Sequence, residues 1–346
     1  MPKSITIIGG GLAGLTLGIG LRREKIPVSI IEAGHYPRHR ICGEFISGRG
    51  QETLGRLGLL EPLRQAGSNP AATAAFVLPQ PNQPVVRRLR QSAVCLSRFK
   101  LDAMLAERFR EAGGDLQENT RWRSPDVEEG MVQATGRRLQ SVESGMRWFG
   151  LKVHGRGTQM IADLEMHILP DAYVGLCRLS AGEVNICGLF RRPAEASGPA
   201  PGWRDLLRGQ PGTSLRQRLE SVEFDEDSFC SVAGLSLKPR RAKQLKECCL
   251  GDALTMIPPV TGNGMSMAFE SAEIATGPLA AYGRGEVAWD FAQQRIAAAC
   301  DARFTRRLRW AQWLQWAMFS PVFQNHLGNL ALRSNLIWQL MFRNTR

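Results

Sequence analysis

The chain has 346 residues, 43% hydrophobic and 22% charged, enough to bury a large core in two interwoven domains and too apolar for a disordered tail. Forty-four Lys and Arg against 32 Asp and Glu leave a net charge of +12, which favours anions: a phosphorylated cofactor, a nucleic acid or an acidic membrane surface. No basic cluster interleaved with aromatics matches a nucleic-acid module, so nucleic acid is not expected as a partner, and eight cysteines without a CxxC pair argue for reduced thiols over a disulfide framework.

Ser4-Ile5-Thr6-Ile7-Ile8 reads as a buried strand, Gly9-Gly10-Gly11-Leu12-Ala13-Gly14 follows, an apolar helix runs to about Leu21, and Val28-Ser29-Ile30-Ile31-Glu32-Ala33 closes the unit. This is a βαβ dinucleotide fingerprint. Gly9 permits the tight turn, Gly11 lets the backbone approach a pyrophosphate, Gly14 lets helix and strand pack closely, and Glu32 can bond a ribose hydroxyl. The pyrophosphate would rest on the helix N-terminus. The uncharged stretch 4–21 could pass for a signal-peptide core or a membrane span, but its glycines and the immediate return to a β-branched strand favour the βαβ unit. A cytoplasmic location is expected.

Arg38-His39-Arg40-Ile41-Cys42-Gly43-Glu44-Phe45-Ile46-Ser47 comes next. A thiol beside cationic Arg40 and a loop or helix start is a candidate for a lowered pKa; the alternative is that small Cys42 and Gly43 let the loop pass beneath a bound ring. Glu44 is a hydrogen-bond partner of that loop or a proton-handling group. Arg98, in Leu96-Ser97-Arg98-Phe99-Lys100-Leu101-Asp102, heads a helix expected to reach Ala112. Further on, Ala134-Thr135-Gly136-Arg137-Arg138 offers two arginines for a phosphate. Four antiparallel strands are expected over Arg147–His154, 160–169, 172–179 and 183–190, with a hairpin turn at Ser180-Ala181-Gly182-Glu183. His154, His167, Tyr173 and Asn185 are the polar candidates on that sheet. Leu250-Gly251-Asp252 reads as a strand ending in a carboxylate, and Pro258-Pro259-Val260-Thr261-Gly262-Asn263-Gly264-Met265 as a loop exposing N–H groups at the start of a helix to about Ala281. Adjacent Cys248 and Cys249 read as small core residues. From Phe304 onward the chain is helical in character, with Trp310, Trp313 and Trp316 at three-residue spacing, a break at Pro321, and arginines flanking the apolar stripes. Such a tail covers the sheet, closes an apolar tunnel, dimerises, or lies in a membrane interface. No Ser-His-Asp order and no metal-ligand spacing stands out.

The glycine fingerprint with Glu32, the distant Gly251-Asp252 with its Pro-rich glycine loop, and Leu96–Asp102 between them resemble FAD-dependent enzymes of the para-hydroxybenzoate hydroxylase fold, a superfamily of monooxygenases, halogenases and geranylgeranyl reductases. The resemblance implies an α/β chain: a Rossmann-like FAD-binding domain (1–70, 92–145, 240–290), an antiparallel substrate sheet (71–91, 146–239) and C-terminal helices (291–346). It implies FAD held by Gly9, Gly11, Leu12, Ala13, Gly14, Glu32, Ala33 and Arg40, by Cys42, Arg98, Ala134, Thr135 and Gly136, and by Gly251, Asp252, Pro259, Gly262, Asn263, Gly264 and Met265. By the same resemblance Arg98 approaches the ribityl and pyrophosphate groups. The Arg38–Ser47 segment is similar to that of the geranylgeranyl reductase family, whose cysteine lies close to the flavin, and marks Cys42 and Glu44 as the catalytic candidates.

The implied activity is NAD(P)H-driven redox chemistry on a lipophilic small molecule, by oxygen insertion or by reduction of a C=C bond. The family's mid-chain Asp-Gly is absent, which leaves the electron donor open, and Asp171-Ala172-Tyr173-Val174-Gly175-Leu176 replaces the prenyl-reductase Tyr-x-Trp-x-Phe-Pro. A halogenase is less expected because its Trp-x-Trp-x-Ile-Pro stretch is missing. A noncatalytic FAD-binding or membrane-surface protein is the alternative from another class.

Overall fold

The computed structural model describes residues 2–79, 83–124, 128–137, 139–140, 142–196 and 201–345. Two sheets organise them. The first holds five parallel strands in the order β13 (Cys248–Cys249), β7 (Met131–Gln133), β1 (Ile5–Ile8), β2 (Val28–Ile31) and β6 (Asp115–Gln117). The central runs Ile5–Ile8 and Val28–Ile31 are largely buried, as inner parallel strands require, while Asp115–Gln117 at one edge stays mostly exposed. Helices α1 (Leu12–Arg23), α4 (Arg98–Glu111), α7 (Gly264–Gly283) and α8 (Trp289–Met318) share their core. Buried Leu15, Ile30, Phe109, Phe269 and Phe304 belong to that single cluster.

The second sheet has eight strands: β12 (Glu223–Ala233), β8 (Met146–Arg156), β11 (Val184–Pro193), β10 (Ala172–Arg178), β9 (Leu164–Leu169), β4 (Asn69–Val77), β5 (Pro84–Cys95) and β3 (Phe45–Ile46). All neighbours are antiparallel except β4 and β9. Short helices α2 (Arg49–Arg56) and α3 (Leu60–Gln65) lead into β4, while α5 (Trp203–Arg208) and α6 (Ser214–Leu219) close over one face of the sheet with Leu207, Leu215 and Leu219. After α8 the chain turns through α9 (Gly328–Arg333) into α10 (Asn335–Thr345).

The sequence boundaries differ from these in physically legible ways. The strand expected from 160 begins at Leu164, because the Glu165 carboxylate accepts the N–H groups of Ile161 and Ala162 at 2.5 and 3.3 Å and turns that backbone aside. The second sheet also takes in Phe45–Ile46, Asn69 and the end of β5 to Cys95, beyond the 71–91 segment expected. The C-terminal helices expected over 291–346 start at Trp289, and α8 ends at Met318 ahead of Pro321. Its inner residues Leu314 and Met318, with Phe319, pack on Tyr173, Leu189 and Ile168 of the second sheet. No helix among the described residues is long and apolar enough to cross a membrane.

Candidate active site

The glycine turn between β1 and α1 lies against the residues that follow β7. Gly9 has φ +105°, and a Cβ there would fall 2.3 Å from the Ala134 carbonyl oxygen, so only glycine fits. Ala134 donates its N–H to Ile8 at 2.8 Å, which brings Thr135 and Gly136 alongside the same turn. Gly251, at the head of the Gly-Asp turn, sits between the first turns of two helices: its Cβ would meet Ala13 at 3.0 Å and Ala268 at 3.8 Å. Asp252 therefore stands beside the starts of both α1 and α7, paired with Arg137 at 3.3 Å.

Both helix starts have the form an elongated anionic cofactor needs. Neither α1 nor α7 receives a side-chain cap, and a Cβ at Gly11 or Gly264 would meet nothing within 4 Å. Open space thus faces two sets of free helix N–H groups. Arg38 and Arg40 each bury an Nε without a hydrogen-bond partner beside Glu32, an arrangement suited to a phosphate. These features fit FAD. In this setting Gly11, Leu12, Ala13 and Gly14 with Asp252 would hold its phosphate and ribityl groups, and Gly264 and Met265, with the rest of the 259–265 loop, its ring.

Glu32 is held firmly. Its two oxygens accept the N–H groups of Gly10 and Gly34, each at 2.8 Å, and Arg38 pairs at 2.8 Å. Burial alone would raise this carboxyl; the Gly34 N–H and the arginines outweigh it and keep the pKa low. Ala33 beside it is exposed. Tyr36, which the sequence did not single out, donates its hydroxyl to the Gly10 carbonyl. A Cβ at Gly10 would lie 2.1 Å from that hydroxyl, so the middle glycine of the triplet answers to Tyr36 and not to the cofactor.

The Arg38–Ser47 loop joins the cofactor region to the second sheet. Phe45 lies on the Pro259–Gly264 loop, where a Cβ at Gly262 would meet its ring at 2.2 Å. Asn185 donates to the Cys42 carbonyl at 2.9 Å. Arg98 heads α4 and binds Asp102 through two bonds of 2.6 and 2.7 Å; it also reaches the Cys42 thiol. Of the two alternatives open for Cys42, its burial favours the structural one: burial raises its pKa more than Arg98 and the Glu44 N–H lower it. Arg138 lies outside the described residues.

Glu44 is fully buried with φ +59°, a left-handed conformation that costs a non-glycine residue about 1 kcal/mol. Its carboxylate sets the geometry around it. Oε1 accepts the Arg98 N–H at 2.8 Å, at the positive end of α4. Oε2 lies 2.7 Å from His154 Nε2, and the Lys152 ammonium, itself fully buried, is 3.8 Å away. On the other side, His154 Nδ1 is 3.5 Å from Glu183, which is partly exposed. His39 stacks on Phe99 and approaches Lys152 at 3.1 Å. Burial pulls the His154 pKa down, but its bonds to Glu183 and Glu44 prevail and raise it, while the bond to His154 lowers Glu183 against burial.

Glu44, His154 and Glu183 therefore form a buried carboxylate–imidazole–carboxylate chain running from the cofactor loop to the surface. His154, Glu183 and Asp225 also bring ligand atoms within 4.8 Å of one another, though His154 Nε2 is already engaged by Glu44. Alternation along β8 was the available signal, since Lys152 and His154 share one face with Asn185 and Cys187 across the ladder. Asn185 Oδ1 and the Tyr173 hydroxyl are buried on that face without partners. His167 turns to the opposite face, where Glu165 and Arg218 hold it.

Residues 3–146 match the family described as FAD binding domain. Conditioned medium factor receptor 1 of Dictyostelium discoideum is 28% identical over 127 residues, which make up 34% of this chain and 25% of that protein, so the matched part corresponds to about a quarter of that relative. Among solved structures, the flavin-dependent brominase Bmp2 superposes with a TM-score of 0.75 at 18% identity, over 99% of this chain and 95% of that one. The halogenase PltM does so with 0.75 at 14%, over 98% and 83%. A flavoprotein/dehydrogenase from Cytophaga hutchinsonii reaches 0.72 at 16%, over 92% and 86%. At these identities the likeness is one of fold. Residues 3–146 thus carry an FAD binding domain, and the fold that this chain shares with flavin-dependent enzymes extends over nearly its whole length.

Proposed function

We propose that the enzyme uses NAD(P)H to drive redox chemistry on a lipophilic small molecule, by oxygen insertion or C=C reduction, with Glu44, His154 and Glu183 handling the proton. The carrying observation is the juxtaposition on one sheet face of this buried proton chain with an apolar wall of Trp148, Tyr173, Leu189 and Phe319. Bound FAD would supply the hydride or activate oxygen; the chain's residues do the rest. The apolar wall binds an apolar skeleton and excludes water. His154 holds a proton between two carboxylates and exchanges it with solvent through Glu183. Cys42, kept as a thiol, lines the loop next to Arg98. The Cys42-Gly43-Glu44 resemblance supports the C=C reductase form of the reading.

A second reading, halide oxidation, draws support from Lys152, an ammonium buried beside Glu44, together with the neighbours' fold. One assay separates these readings: consumption of NADPH or NADH by the FAD-loaded protein, with and without oxygen, bromide and polyprenyl or alkylphenol substrates. Substrate-stimulated turnover without halide is expected, falling about 10²-fold or more in Glu44→Gln at unchanged flavin content. Turnover that needs bromide would install the second reading. Failure of either nicotinamide to reduce the flavin would remove NAD(P)H as donor.

A further inference from the structure

Arginine and tryptophan divide the outer surface of the C-terminal helices between them. Seven of the thirteen large apolar side chains that stand exposed among the described residues fall within residues 313–340, so this short stretch carries most of the greasy surface. Along α8, exposed Arg306, Arg309, Trp313 and Trp316 follow one another at spacings of three, four and three, a single stripe that grades from cation to indole. α10 runs back along it: Leu332, just before α10, packs near Leu314 and Met318, while Asn344 at its far end accepts from Arg306. Its outer stripe is Leu336, Leu340 and Arg343, spaced four and three, and so repeats the same grading.

At the cationic end the helices border an open pocket of about 510 Å³ whose lining includes Arg49, Arg303, Arg306, Arg307 and Arg343. Glu270 pairs with Arg307 at 2.7 Å and Arg303 at 3.5 Å. Arg307 is 3% exposed, and its Nε is buried without a partner. Glu270, with Glu273 also acting on Arg303, leaves the five guanidinium groups in excess, so the pocket attracts an anion.

We propose that this platform docks on the surface of a bilayer containing anionic phospholipid. The tryptophans and leucines enter the headgroup boundary and the arginine pocket receives lipid phosphate. The inference is independent of the reaction catalysed.

The test is sedimentation of the full, FAD-loaded chain with vesicles of phosphatidylcholine alone or mixed with phosphatidylglycerol. Binding to the mixed vesicles is expected, at least tenfold stronger than to phosphatidylcholine and weakened by salt. Arg306→Gln/Arg343→Gln should reduce it about 25-fold, at about fivefold per basic residue. Trp313→Ser/Trp316→Ser should reduce it comparably, and both variants should keep their flavin absorbance. Leu336→Ser/Leu340→Ser provides the same readout should either of them fail to fold. A chain that stays in the supernatant, or that binds both vesicle types equally, overturns the proposal. So does a dimer in light scattering that the tryptophan variant dissolves.

Discussion

The two faces of the eight-stranded sheet each bury a histidine against a carboxylate, with opposite results. On the cofactor side His154 lies 2.7 Å from Glu44, on the far side His167 lies 2.9 Å from Glu165, and both histidines are at most 2% exposed. Yet His154 is raised and His167 lowered. Burial depresses each. His154 recovers because a second carboxylate, Glu183, faces its other nitrogen. His167 has only Glu165, which Arg218 already holds through bonds of 2.6 and 2.9 Å and whose pKa is pulled down to about 2 by His167 and Arg218 against burial. A carboxylate whose charge is spent on a guanidinium does little for an imidazole. One pair is equipped to carry a proton, and the other fastens strand to helix.

The comparison can be broken most severely at Lys152. Changing it to Met leaves Glu44 buried without its ammonium, and a loss of about 3 kcal/mol is expected, read as a lowered midpoint in chemical denaturation; a stability within experimental error of the parent would show that His154 and the α4 N-terminus suffice. A smaller change tests the far face. Arg218→Gln frees Glu165 to act on His167, whose titration followed by imidazole NMR should move upward, towards the behaviour of His154. No movement would mean that burial alone sets it.

The smallest effect is in the pH dependence of stability, and there the two histidines should differ in sign. A folded pKa above the unfolded value of about 6.5 gives stability that is present below that pH and fades as pH rises through the folded value; a folded pKa below it gives stability present above 6.5 and lost as pH falls. His154→Gln should therefore flatten the stability profile on the alkaline side, His167→Gln on the acid side. Melts from pH 5 to 9 that show the same limb altered in both would refute the distinction.

The cofactor half was legible because chemistry fixes residue identity there. A pyrophosphate on a helix start needs glycine at fixed spacing, so the turn at residues 9–14 and Glu32 after β2 could be read directly, as could the strands around Val153 and Val174 from alternation; the strand expected to end at Asp252 instead stops at Cys249, and Gly251–Ala253 forms a short helical turn. The seam was not legible. Alternation along β8 puts Lys152 and His154 on one face, but Glu44 and Glu183 join them from two other segments, and no local period records that meeting. β12 drew no strand expectation: its Glu223, Asp225, Glu226 and Asp227 mask any apolar alternation, but they occupy an edge strand with a bulge between Asp225 and Cys230, where charge faces water at little cost. Phe45–Ile46 is too short to show any period at all.

That two-residue strand has a mechanical consequence. Through it the cofactor loop is fastened at its exit, with Phe45 and Ile46 paired to Cys95 and Val94 and the Leu96 N–H bonded to the Glu44 carbonyl at 3.1 Å. A loop so fastened cannot flicker open by itself on the nanosecond scale of a free surface segment. Opening it would mean breaking those ladder bonds first, a local unfolding step slower than loop motion.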